Sequence, residues 1–270
     1  MLEDNHEDII AKAMRGQKIG KSMLADLSGL EKTEVESLLK GKFSEKAILE
    51  VANQLKLDER KLLISAKKSW HPILVDIPGL KRFESKFGDM KVNAYVIYNE
   101  SSKKSWIFDT GTDCNALLTF IKEQELKVDS IFLTHSHRDH IACLGEILEF
   151  TRFPKFFIHN SEKIKDSHEI DEGFNTSISE DINLTAFHTH GHSVGGMTYL
   201  ISGLTSPVAI VGDAIFAGSM GGGMISYDEA LRNNREKIMI LPDNTIICPG
   251  HGPLTTVGEE KKYNPFFPEF

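Results

Sequence analysis

The chain has 270 residues, 40% of them hydrophobic, enough for one large folded unit or a large unit with a small one. A net charge of -8 argues against bulk nucleic-acid binding. A mean hydropathy of -0.22, with no apolar run approaching the roughly 18 residues of a membrane helix, argues against a span.

Met1–Asp8 is acidic and lacks the apolar core of a secretion signal. Cys114, Cys143 and Cys248 are far apart and form no C-x-x-C, so no disulfide framework is expected and a reducing cytoplasm is the expected compartment. Residues 1–70 carry 13 Lys/Arg and 12 Asp/Glu, against 18 and 27 in residues 71–270. This change in character sets the expected boundary at Trp70-His71-Pro72, with a small domain at 1–70 and a large one at 71–270.

In the first seventy residues apolar side chains recur at helical spacing: Ile9, Ile10 and Ala13; Met23, Leu24 and Leu27; Val35, Leu38 and Leu39; Ile48, Val51 and Leu55; Leu62 and Leu63. The stretch Lys21–Gly41 resembles the helix-turn-helix of Cro/repressor-type domains. That resemblance implies that Ala25 lets two helices approach, Gly29 takes the turn, and Val35 and Leu38 bury the second helix. The second helix offers Glu31, Glu34 and Glu36 beside Lys32 and Lys40. Carboxylates facing phosphate repel it, so packing, subunit contact or protein binding is favoured over DNA reading.

From about residue 90 the texture changes. Val92–Tyr98 and Ser105–Asp109 read as strands joined by a polar hairpin at Asn99–Lys104. Ala116–Glu125 reads as a helix, Ser130–Thr134 as a buried strand and Ile141–Phe150 as a helix. Lys155–His159, Ile182–His188, Gly196–Ile201 and Pro207–Val211 read as strands, Ser226–Met239 as a helix and Thr245–Cys248 as a strand.

The run His135-Ser136-His137-Arg138-Asp139-His140 places four potential metal ligands within six residues. Neighbouring side chains such as Asp139 and His140 point in different directions, so the run suggests two adjacent metals with further ligands downstream. His192, Asp213 and His251 are the candidates, each following an expected strand.

Thr134–His140, Gly191-His192-Ser193, Gly212-Asp213 and Pro249-Gly250-His251-Gly252-Pro253 together resemble the metallo-β-lactamase fold superfamily in order and approximate spacing. Gly258–Lys262 and Asn264-Pro265-Phe266 add a similarity to glyoxalase II-like hydrolases, and the resemblance covers about residues 75–268. It implies an α+β chain: an αββα sandwich with the site at one edge, beside a small all-α N-terminal domain.

The resemblance also implies a ligand set: His135, His137 and His192 on one metal; Asp139, His140 and His251 on the other; Asp213 between them. Two metals about 3.5–4 Å apart need a shared carboxylate or hydroxide, and a bridging water would be acidified toward a pKa of roughly 7. Asp139 is the candidate catalytic residue, orienting the nucleophile as well as ligating. Asp109 matches a supporting position beneath the metals, and His190 is the second choice to His192, in a supporting place. His188, His190 and His192 are expected to alternate along one strand.

Cys143 and Cys248 are expected as small buried side chains. Gly221–Gly223 is expected as a flexible loop over the site. Phe216, Met220, Met224 and Tyr227 are candidates to line a substrate pocket, with core packing the equal alternative. Arg138 could steer an anionic substrate or be a solvated side chain.

The expected activity is dinuclear hydrolysis of a thioester, hydroxyacylglutathione-like, or a related ester, by hydroxide attack on the carbonyl. The expected cofactors are two divalent ions, zinc first, with iron or manganese as alternatives. Glyoxalase II proper carries a C-terminal helical domain for glutathione, whereas the additional segment here is N-terminal. The alternatives are a mononuclear iron persulfide dioxygenase, a lactonase, and a ligand- or metal-responsive DNA-binding regulator. The expected partner is a small molecule rather than a membrane, with a homo-oligomer compatible with the N-terminal helices or the Phe266-Phe267-Pro268 tail.

Overall fold

The computed structural model describes residues 1–73 and 76–270. Five helices come first: α1 (His6–Gly16), α2 (Lys21–Ser28), α3 (Lys32–Leu38), α4 (Glu45–Gln54) and α5 (Glu59–Ala66). Their starts are set locally. Asn5 and Asp8 form a capping box on α1, and the Asp58 carboxylate accepts from Lys61 N at 2.8 Å on α5. Gly29 ends α2 in the left-handed region, at φ 63°, where a side chain would be strained. Ala25, Val35 and Leu38 are buried, as their spacing predicts.

The rest of the chain forms two six-stranded sheets. The first contains, in spatial order, β1 (Leu80–Phe87), β2 (Met90–Tyr98), β3 (Lys104–Phe108), β4 (Lys127–Phe132), β5 (Lys155–His159) and β6 (His168–Ile170). Its first three strands are antiparallel and the others join in parallel. The second runs β12 (Thr255–Thr256), β11 (Ile246–Pro249), β10 (Val208–Gly212), β9 (Met197–Ser202), β8 (Asn183–His188) and β7 (Asn175–Ser177). Here only β10 and β11 pair in parallel.

Period-two alternation divides the side chains among three cores. Tyr95, Ile97, Trp106, Phe108 and Phe132 meet Leu184, Tyr199, Ile201, Ile210 and Cys248 between the sheets. Ala94, Val96, Ile107 and Ile131, from alternate positions of the same strands, pack under α6 (Asn115–Glu123) and α8 (Leu144–Phe150). Ala209, Val211 and Ile247 face the opposite helical layer, which includes α9 (Tyr227–Asn233) and α10 (Val257–Tyr263). The result is the expected αββα sandwich, with the N-terminal region all helical.

The third core does not stop at the expected boundary. Ile9, Ile10, Leu24, Ile48 and Leu62 belong to the same apolar cluster as Ala209, Val211, Phe266 and Phe267. Polar links follow the same path: Asp58 N donates to Pro265 O at 2.8 Å, and Lys61 Nζ to Phe267 O at 2.7 Å. Trp70 stacks on Tyr263 with centroids 4.6 Å apart.

Three local expectations need correction. Ile141–Phe150 is not one helix. A short helix, α7 (Arg138–Ile141), takes up the end of the histidine run, and α8 starts afresh at Leu144. The strand carrying His188 ends there, leaving His190 and His192 in a loop. The helix expected over Ser226–Met239 closes as α9 followed by a π turn, Asn234–Ile238, where Asn234 Nδ2 donates to Ala214 O at 2.8 Å. Strands β1, β6, β7 and β12 and helix α10 lie outside the expected elements. Among the described residues, no helix is long and apolar enough to cross a membrane.

Candidate metal centre

Loops after β4, β8, β10 and β11, together with α7, bring seven side chains to one edge of the sandwich. One group is His135, His137, His192 and Asp213; the other is Asp139, His140 and His251. Within each group, one ligating atom per residue lies within 4.8 Å of every other. Asp213 touches both groups: its Oδ2 is 3.2 Å from His192 Nε2 and 3.5 Å from His251 Nε2, and its Oδ1 is 3.4 Å from His140 Nε2. Asp139 Oδ2 lies 3.2 Å from His251 Nε2.

The partners on the far side of each ring fix its tautomer. His140 Nδ1 donates to Asp109 Oδ2 at 2.8 Å, His192 Nδ1 to Gly222 O at 2.9 Å, and His251 Nδ1 to Lys91 O at 2.7 Å. Thr134 spends its one hydroxyl proton on Asp109 Oδ2 at 2.8 Å, so its oxygen accepts from His135 Nδ1 at 3.0 Å. Four imidazoles therefore turn Nε2 lone pairs into the same space. His137 Nδ1 meets two of them, at 2.9 Å from His135 and 3.1 Å from His192. One shared proton cannot satisfy that trio, but a cation can. His140 Nε2 and Asp213 Oδ1 are buried without hydrogen-bond partners, as atoms reserved for an ion would be. The donor set, imidazole with carboxylate, fits divalent zinc, iron or manganese.

Electrostatics agree with this geometry. Burial alone would lower His140, but Asp109 and Asp213 outweigh it and push the ring up to about 10. Burial likewise opposes His251, while Asp139 and Asp213 carry it to about 11. Burial would raise Asp213, yet His140 and His251 hold it well below the usual carboxylate range. His135 and His192 are lowered, chiefly by burial. The site is thus built to hold positive charge, and protons take that place when no metal does.

Asp109 stands beneath the centre in the left-handed region, at φ 53°, with both oxygens engaged: Oδ1 accepts from Thr134 N at 2.7 Å. A buried non-glycine residue in that conformation persists only where its surroundings determine it. Gly250 is required by close approach, since a Cβ there would stand 2.2 Å from Asp213 Oδ1 and 2.6 Å from His140 Cε1.

His190 turns to α9 instead, 3.3 Å from Glu229 Oε2, and its carbonyl accepts from Asn233 Nδ2 at 2.8 Å. The loop expected to be flexible is fastened: Gly222 O holds His192, and a Cβ on Gly221 would collide with Asp213 O. Phe216 meets His251 edge-on with centroids 5.7 Å apart, Met220 and Tyr227 are buried in the core, and Met224 and Arg138 are exposed. Cys143 and Cys248 are buried, as expected.

Two supporting residues were not anticipated. Glu162, buried, accepts from Ser136 Oγ and from Gly195 N, tying the His135–His137 loop to the His192 loop. Asn93 Nδ2 donates to Pro249 O and Gly252 O, both at 2.9 Å, and so clamps the His251 turn against β2. Only Ser136, between two ligands, carried a trace of this in the sequence.

The profile of the metallo-beta-lactamase superfamily matches residues 87–251, which spans every one of these seven side chains. The chain belongs to the metallo-beta-lactamase superfamily. Among curated relatives of this superfamily member, the probable metallo-hydrolase YqgX of Bacillus subtilis is 31% identical over 208 residues, 68% of this chain and 95% of YqgX. The hydroxyacylglutathione hydrolase GloC of Haemophilus influenzae is 25% identical over 197 residues, 64% of this chain and 92% of GloC. Among solved structures, BLEG-1 B3 metallo-beta-lactamase superposes with a TM-score of 0.60 at 30% identity, covering 69% of this chain and 99% of BLEG-1. These stretches leave out about a third of the chain, and the superfamily profile begins after the five N-terminal helices.

Proposed function

We propose that the chain is a dinuclear metal-dependent hydrolase of ester-type bonds, with thioesters the first substrate class. His135, His137 and His192 would hold one ion, Asp139, His140 and His251 the other, and Asp213 would lie between them. The observation that carries this reading is the convergence of Nε2 lone pairs from four histidines whose Nδ1 atoms are already committed. Zinc is the first choice of ion, with iron and manganese suited to the same donors.

Bound in this centre, two divalent ions supply Lewis acidity and lower the pKa of water to about 7. The chain's own residues do the rest. Asp139, whose Oδ2 lies 3.2 Å from His251 Nε2, would accept a proton from the attacking water and orient it. Asp109 holds His140 through Nδ1, and Glu162 keeps the His135–His137 and His192 loops in register. The substrate class is supported by the likeness to the Haemophilus hydroxyacylglutathione hydrolase, and hydrolysis by the likeness to YqgX. Free thiols at Cys114, Cys143 and Cys248 accord with a reducing cytoplasm.

The test is metal analysis of the purified protein together with a panel of thioesters, lactones and persulfides. About two ions per chain with thioester turnover is expected. Fewer than one ion after reconstitution, with no turnover, would overturn the assignment. Persulfide oxidation on a single iron would redirect it to the dioxygenase alternative.

A further inference from the structure

The segment Met1–Asp4 crosses the rim of the metal centre. Glu3 lies over Gly252, so near that a Cβ built on that glycine would be 3.3 Å from both Glu3 N and Glu3 Cβ. Gly252 directly follows His251. Lys12 on α1 pins this segment down: its ammonium pairs with Asp4, donates to Met220 O at 2.8 Å and lies 4.9 Å over the Phe216 ring. Phe216 in turn edges His251.

Opposite Glu3 stands the β1–β2 hairpin, and the space between forms a cleft of about 320 Å³ lined by Leu2, Glu3, Met90, Lys91 and Gly252. The cleft lies next to His251 on its Nδ1 side, because Lys91 O holds that nitrogen and Gly252 continues from His251. Glu84 and Asp89 also line it, with Lys91 Nζ 3.8 Å from Glu84 Oε1.

Glu3 is partly buried, and among the described residues its carboxylate has neither a hydrogen bond nor an ion pair. Burial raises its pKa, against the opposing pull of His251. A carboxylate that has lost part of its water without gaining a donor is incomplete, and a charged donor completes it best.

We propose that Glu3 is a specificity-determining residue that receives a protonated amine of the substrate in the cleft beside His251. This rests on the hydrolase reading of the metal centre. The N-terminal segment thereby supplies one wall of the substrate site, with Lys12 as its anchor.

The test uses the metal-loaded full chain and two pairs of thioesters. Each pair is matched in size, one member ending in a primary ammonium and the other in a methyl group, on either the acyl or the thiol arm. Non-hydrolysable thioether counterparts report binding by calorimetry. In at least one pair the ammonium thioether should bind about tenfold more tightly than its neutral match. That ratio should fall toward one in Glu3→Gln and invert in Glu3→Lys. Equal affinity in both pairs, or a ratio unchanged in Glu3→Gln, overturns the proposal. Discrimination by the thioethers without turnover of any thioester would sink the hydrolase reading and leave the Glu3 subsite standing. Turnover without discrimination would do the reverse.

Discussion

His140 Nε2 and Asp213 Oδ1 lie 3.4 Å apart, both buried and both without a hydrogen-bond partner. Leaving a buried polar atom unsatisfied costs about 1–3 kcal/mol. Two such atoms facing one another are what an ion held by His140 and shared with Asp213 would satisfy. Replacing Asp213 removes a carboxylate whose two oxygens reach ligating nitrogens of both halves of the centre. Asp213→Ala should lose most bound metal by elemental analysis, and full retention would contradict the bridging role.

Asp109 touches no proposed ion, yet it fixes the tautomer of His140 and anchors Thr134. Asp109→Asn preserves size and tolerance of the left-handed backbone but removes the charged acceptor for three donors. Metal affinity should fall by about 10–100-fold with the fold retained by circular dichroism. An unchanged affinity would assign Asp109 to backbone support alone.

The metal-free protein should depend on pH in a defined direction. His140 and His251 are raised to about 10 and about 11, so their contribution to stability is complete below their unfolded value near 6.5. It is lost as pH rises through 10 and 11. The melting temperature of chelator-treated protein should therefore fall between pH 7 and pH 10, while the metal-loaded form falls less. Metal binding at pH 7 should also release protons, measurable by calorimetry in buffers of different ionisation enthalpy. Absence of proton release would mean that the rings are already neutral.

Glu260 is a buried carboxylate away from the metal centre, accepting from Gly218 N at 2.9 Å, Thr255 Oγ1 at 2.8 Å and Asn264 Nδ2 at 2.8 Å. Burial pushes it up to about 7. Its contribution is complete below about 4.5 and is lost as pH rises through 7. Glu260→Gln should compare more favourably with the parent at pH 8 than at pH 5, by several degrees in melting temperature on the scale of about 2–4 °C per kcal/mol. A constant difference across that range would show that the carboxyl does not titrate there.

The N-terminal helices test two readings at once. Because Ile9, Leu24, Ile48 and Leu62 share a core with Phe266 and Phe267, deleting residues 1–66 uncovers apolar surface. The remainder should aggregate or melt far below the full chain; a monomeric, equally stable remainder would mean two independent units. In the full chain, gel-shift assays at low and moderate salt should give no salt-sensitive band, given Glu31, Glu34 and Glu36 around α3. A shift that weakens with salt would restore the regulator reading.

How far the sequence reaches differs from residue to residue. His135 through His140 announced a metal site because three imidazoles and a carboxylate in six residues have little packing use. Near-continuous apolar runs in Val92–Tyr98 and Pro207–Val211 marked the buried strands, since both faces of each are covered. The break between α7 and α8 was hidden, because the apolar spacing of Ile141–Phe150 runs through it. The short strands β6 and β7 were hidden too, being too short to carry a period.

The helical start was legible from spacing alone, and the sandwich and the seven candidate ligands from the resemblance to the metallo-β-lactamase fold superfamily, because the motifs that carry it are local properties of the chain. Only the tertiary structure decided what lies behind those ligands. Lys91 and Gly222 act through backbone carbonyls, which every residue has and no sequence advertises. Glu162 reaches Ser136 and Gly195 across 26 and 33 residues, and Lys12 reaches Met220 across 208. Such contacts exist only once the sheets and helices have packed, and they set the ring orientations on which the chemistry depends.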